Sequence, residues 1–160
     1  MSTSKLRLGL LLVIISLVLA GSRSAQALTP QQILSLVNQD REKHGLSQLH
    51  LNPTLNLAAY AKAKDMVSKN YFAHISPDGT KPWDWFKNLG YNYSYAGENL
   101  AEGFTDSYEL ESSWMSSPSH RANILSPFYS EAGLAIVPHG DTNIIVEFFG
   151  SKEHKVTLRQ

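Results

Sequence analysis

Cysteine is absent from all 160 residues. That excludes disulfides, thiolate metal centres, a cysteine nucleophile and lipidation of an N-terminal cysteine. The signatures of several common enzyme classes are missing too: there is no Gly-x-Ser-x-Gly, no His-Glu-x-x-His and no phosphate-binding glycine loop. Neither sign of charge is in excess, with 14 basic against 14 acidic side chains. Long apolar runs are scarce. Leu8–Ala20 is an extended one of 13 residues, short of the about 20 that a membrane-spanning helix needs.

Lys5 and Arg7 precede that run, and Ala25-Gln26-Ala27 follows it with the small-x-small pattern of a processing site. Met1–Ala27 is therefore expected to be a cleavable signal peptide. Residues 28–150 then form one domain, with 151–160 a loosely ordered tail. The expected destination is the extracellular space or cell envelope, with no membrane span left after cleavage. Beyond Ala27 the chain carries 11 basic and 14 acidic residues. A net charge of −3 argues against nucleic acid or an anionic membrane as a partner. Without disulfides, the domain must be held by packing.

Thr29-Pro30 and Asn52-Pro53 are helix starts, each a capping side chain followed by proline. The first helix carries Ile33, Leu34, Leu36 and Val37 and ends near His44-Gly45. Arg41 falls on its apolar stripe, which predicts a structural arginine with a buried acceptor. The second is alanine-rich, with Leu55, Ala58, Ala59, Ala63, Met66 and Val67. Ser76-Pro77-Asp78-Gly79 predicts a tight turn, Pro82–Leu89 a short helix, and Asp106-x-x-Glu109 a capped helix to about Met115. Ser117-Pro118 predicts the cap of another short helix. Gly133–Val137 and Asn143–Phe149 read as antiparallel strands joined by Pro138–Thr142. The fold class expected is α+β.

Three polar residues stand in turn-rich or capped settings: His74 before the turn, Glu98 in Gly97-Glu98-Asn99, and His120 at the start of a helix. Two neutral imidazoles can ligate a transition metal, and a carboxylate between them can hold water or balance charge. A first-turn histidine also feels the positive end of the helix dipole, which favours its neutral form. Each residue has a purely structural reading as well. His74 could bond across its turn, Glu98 could accept from loop amides, and His120 could anchor its helix.

The run Asn38-x-x-Arg41-x-x-x-Gly45-Leu46, the helix ending in Asp65-Met66, His74–Gly79, Gly97-Glu98-Asn99 and Trp114–Leu125 resemble the CAP superfamily. That family is also called SCP-like, or cysteine-rich secretory protein, antigen 5 and pathogenesis-related 1. The similarity extends from about Gln31 to Gly150 and is strongest to the bacterial extracellular branch. It implies a three-layer α-β-α sandwich around a small antiparallel sheet, and a cleft lined by a His, Glu, Glu, His tetrad. His74, Glu98 and His120 match three of the four. The position matching the remaining Glu is Ser117, so the second carboxylate is missing, and Glu111 is the nearby candidate to replace it. In zinc-binding members the two histidines are ligands, which implies zinc or another divalent metal, weakly held, at His74 and His120.

Eight of the 16 aromatics lie between Trp83 and Tyr108. Most are expected to pack in the core or loops, and Tyr93 and Tyr95, nearest Glu98, are the candidates to stack on a sugar or apolar ligand. Glu147, inside an apolar strand, either pairs with Arg41 or lines the solvent face. His44 is expected at a helix C-terminus, while His50, His139 and His154 read as surface residues. Asn92-Tyr93-Ser94 is a glycosylation acceptor only in a eukaryotic host. The function expected is an extracellular binding module for a small molecule, glycan, lipid or envelope component. The alternatives are a metal-assisted hydrolase, with Glu98 as the catalytic residue activating water, and a surface interaction protein whose polar network is structural.

Overall fold

A computed structural model describes residues 27–152. Most of the expected signal peptide and the tail from residue 153 onward, His154 included, lie outside the described residues.

Local chemistry sets the helix starts. Thr29 Oγ1 accepts from the Gln32 amide at 3.2 Å and Pro30 opens α1 (Pro30–Lys43). Asn52 Oδ1 accepts from the Thr54 and Leu55 amides at 2.9 and 3.2 Å, and Pro53 opens α2 (Pro53–Lys69). These caps satisfy amides that have no partner within the helix. Between the two helices lies the two-residue strand β1 (His50–Leu51). Then follow α3 (Pro82–Lys87), β2 (Tyr93–Glu102), α4 (Ser107–Ser116) and α5 (Pro118–Ile124). The strands β3 (Glu131–His139) and β4 (Thr142–Lys152) complete the described residues. Asp106 caps α4 through its side chain, whereas Ser117 makes no side-chain cap bond to α5.

The sheet order is β1-β3-β4-β2. Its three long strands are antiparallel, as expected, and β1 adds a parallel pair with β3. The β3–β4 turn is tighter than the sequence suggests, with only Gly140 and Asp141 between the strands. β4 also runs through Lys152, two residues past the expected domain boundary.

Strand alternation sorts side chains onto two faces. Ile144, Val146 and Phe148 join Leu55, Ala58, Ala59, Ala63 and Met66 of α2 and Phe86 of α3 in one core. Ile145 and Phe149 join Ile33 and Val37 of α1, Leu110 and Trp114 of α4 and Ile124 of α5 in the other. Helices on both faces make the α-β-α sandwich. Alanines on α2 let its backbone approach the sheet so closely that a Cβ at Gly133 would stand 2.1 Å from the Leu55 carbonyl carbon. No helix among the described residues is long and apolar enough to cross a membrane.

Candidate functional site

Strand β2 is the sheet edge, and Glu98 and Asn99 leave it on opposite faces. Glu98 pairs with Phe148 in the sheet register and so faces the α2 layer, while Asn99 pairs with Glu147 and faces the α5 layer. No local pattern in the sequence marks β2 as a strand. Gly-Glu-Asn is a poor strand former, and nine register pairs to β4 hold it in place. The site therefore straddles the edge of the sheet, with His74 and Glu98 on one side and His120 of α5 on the other.

The structure brings His74 and Glu98 together. His74 Nδ1 lies 2.5 Å from Glu98 Oε1, with the imidazole 59% exposed and the carboxylate only 1%. Glu98 Oε2 is buried and has no hydrogen-bond partner. Burial pushes the Glu98 carboxyl above its usual range, against the pull of His74 and Lys62. His120, half-buried on α5, is pushed below the usual imidazole range by burial and then by neighbouring His74. Its ring centroid lies 6.4 Å from that of Trp114.

Two asparagines tie these residues to one another. Asn123 Nδ2 donates to the Glu98 carbonyl at 3.0 Å and to Asn99 Oδ1 at 2.9 Å. Asn99 Nδ2 in turn approaches the His120 carbonyl and Glu147 Oε2, each at 3.4 Å. Gly97 permits this close approach: a Cβ there would meet the Tyr129 hydroxyl at 2.6 Å and Asn123 Oδ1 at 3.0 Å. Arg41, buried as expected, donates to the carbonyls of Ser47, Ile124, Ser126 and Tyr129 and so clamps the end of α5.

Tyr93 is half-buried and packs edge-on against Phe86 at 5.2 Å. Tyr95 is 49% exposed and stacks on Phe128 at 4.6 Å. It pairs with Ser151 two residues before Gly97, which places it on the face opposite Glu98. Both lie in β2, Tyr93 against Phe86 and Tyr95 against Phe128. Glu111 is buried under α1, and the charges acting on it are Asp40 and Lys43, not the cleft histidines. It does not replace the missing carboxylate at Ser117. Glu147 takes neither expected course. It is fully buried beneath α1, α4 and α5, with Arg41 near enough to pull on its charge but committed to carbonyls. Burial and then Glu111 raise the Glu147 carboxyl well above its usual range. His44 caps α1 and its Nδ1 contacts the Asp40 carbonyl at 2.7 Å.

Lys62 is the site residue that sequence reasoning missed. It is fully buried on α2, and burial lowers its ammonium below the usual range while Glu98 pulls the other way. The signal was available: Lys62 follows Ala58 and Ala59 by four and three residues, a lysine on the apolar stripe.

Residues 34–149 match the cysteine-rich secretory protein family, CAP. The chain belongs to this family. YkwD of Bacillus subtilis is 41% identical over 110 residues, which are 69% of this chain and 43% of that protein. An extracellular protein containing an SCP domain from Bacillus anthracis has a TM-score of 0.68 and 30% identity, over 76% of this chain and 40% of that one. An outer surface protein from Borrelia burgdorferi shares the fold, with a TM-score of 0.71 at 22% identity over 77% of this chain and 92% of that one. This CAP domain thus spans less than half the length of both Bacillus relatives.

Among the described residues, no three or more His, Cys, Asp or Glu side chains form a ready-made metal site. The residues of this CAP domain that could hold an ion are two imidazoles, His74 and His120. Glu98 Oε1 is already engaged by His74 Nδ1, which leaves Nε2 as the ring's other nitrogen. A carboxylate behind a histidine in this way fixes its tautomer and raises its basicity as a ligand. Such a set fits an exchangeable ion with water or ligand completing its coordination. It does not fit a closed structural zinc centre.

Proposed function

We propose that this CAP domain is an extracellular binding module whose cleft holds a divalent transition metal through His74 and His120. The bound metal would present open positions to a small or extended ligand of the cell envelope, such as a glycan or lipid head group. Glu98 orients His74 and is not a third ligand. The contact between His74 Nδ1 and Glu98 Oε1, made by an exposed imidazole on a buried carboxylate, carries this reading. His120, held toward its neutral form, supplies the second nitrogen.

Binding is favoured over hydrolysis because the carboxylate in the cleft is committed to His74 and Ser117 offers no second one for proton transfer. When bound, the metal would supply Lewis acidity at its open positions. His74 and Glu98 would hold the proton on Nδ1, and α5 would set the reach of His120. Calorimetric titration of the metal-stripped protein with zinc at neutral pH tests the proposal. One-site binding that is lost in both His74→Ala and His120→Ala is expected. No heat of binding, or unchanged affinity in either variant, contradicts it.

A further inference from the structure

Lys62 is wholly buried, and replacing a buried ion by an apolar side chain of similar volume is often neutral or stabilising. Its three donors are all spent near the cleft. Nζ donates to the Tyr71 hydroxyl at 3.1 Å, the Ala73 carbonyl at 2.9 Å and the His74 carbonyl at 3.0 Å. The Ala73 and His74 carbonyls lie outside any helix or strand, so the ammonium stands in for the donors that regular structure would provide.

The surrounding groups are tied to the same point. The Tyr71 hydroxyl donates to Asp65 Oδ2 at 2.6 Å and lies 2.6 Å from Ser76 Oγ, and its ring sits 4.8 Å from Lys62 Nζ. Lys69 Nζ bridges Asp65 on α2 and Asp78 in the turn, at 2.7 Å each. Glu98, the partner of His74, also acts on the Lys62 charge. One buried cation therefore touches the main chain of His74 and balances the carboxylate that its side chain meets.

We propose that Lys62 is a positioning residue: its ammonium holds the His74 main chain where Nδ1 meets Glu98 Oε1, and so fixes Nε2 as the nitrogen left for a ligand. The inference rests on the two-imidazole reading of the cleft, but it concerns the chain's own geometry and can be tested without metal. Supporting groups of this kind typically change metal affinity about 10–100-fold when lost.

The test is the ring tautomer of His74, read by long-range nitrogen–proton NMR on the metal-free protein at about pH 8.5, where an ordinary imidazole is neutral. In the parent, His74 is expected to carry its proton on Nδ1. Lys62→Met should return it toward the mixture of a freely exposed histidine, and raise the cobalt(II) dissociation constant at least about tenfold. Ile33→Ala, on α1 in the core on the other face of the sheet, should lower the melting temperature and leave the tautomer alone. If Lys62→Met does not fold, Lys62→Gln takes its place with the same expectation. A folded Lys62 variant with His74 still protonated at Nδ1 overturns the proposal, as does an Ile33→Ala protein that loses the tautomer equally. A parent that binds no cobalt defeats the metal reading alone, and the tautomer still decides the role of Lys62.

Discussion

His74 and Glu98, 24 residues apart in sequence, meet at 2.5 Å with the imidazole in solvent and the carboxylate in the core. If this pair serves a ligand site, removing its charge should weaken binding and spare the fold. Glu98→Gln is expected to raise the zinc dissociation constant about 10–100-fold. The melting temperature should change little, because relief of a buried carboxylate with an unpartnered oxygen offsets the charge lost opposite Lys62. A pair serving stability alone would show the opposite pattern.

Glu111 makes stability depend on pH. Its carboxyl is buried, and burial, then Asp40, raises it to about 8. Between the ordinary carboxylate value and about 8, the folded state keeps a proton that the unfolded state has lost. Stability therefore falls as pH rises through this window. Glu147 is shifted in the same direction. Glu111→Gln should match the parent near about pH 4 and melt several degrees higher near about pH 8.5, as thermal melts across that range would show. A constant difference at all pH values would contradict the assignment.

Arg41 joins α1 to the end of α5 and the segment after it through the Ile124, Ser126 and Tyr129 carbonyls, and it also donates to Ser47. Arg41→Met fills much of the volume but leaves those acceptors short of donors. A loss of roughly 2–4 kcal/mol is expected in urea unfolding at neutral pH. Because three of those carbonyls, Ile124, Ser126 and Tyr129, follow His120 in the chain, zinc affinity should fall with it.

Two glycines should respond differently to a methyl group. At Gly97 the added Cβ meets the far end of Tyr129 and the Asn123 side chain, which can shift. Gly97→Ala should cost about 1–3 kcal/mol and move the amide resonances of α5. At Gly133 the obstacle is the backbone of Leu55, which cannot move without lifting α2 from the sheet. Gly133→Ala should not yield a folded protein by circular dichroism and NMR dispersion.

The sequence was most informative where chemistry is local. Thr29-Pro30, Asn52-Pro53 and Asp106 announce their helices because caps act within one turn. Arg41 betrays its burial by its place on an apolar stripe. His74, Glu98 and His120 emerge from family motifs, and the structure brings His74 and Glu98 into contact. Non-local effects were harder to see. Strand β2 owes its existence to pairing with β4, whose residues lie far onward in the chain, Glu102 meeting Ile144 and Tyr93 meeting Lys152. Tyr93 and Tyr95 look equivalent in sequence, yet a register shift between them places one on Phe86 and the other on Phe128. Glu147 and Glu111 are buried by layers packed from several elements, a fact no local pattern carries. Lys62 lay on a visible stripe, but its three acceptors arise from the chain beyond the helix.

The central claim is that His74 and His120 share one ion, and anomalous diffraction at the zinc edge from zinc-soaked crystals tests it most directly. The account predicts one peak about 2.0–2.1 Å from His74 Nε2 and from a nitrogen of His120, with Glu98 still on His74 Nδ1. A cleft without a peak, or an ion bound directly by Glu98 and only one histidine, would contradict it.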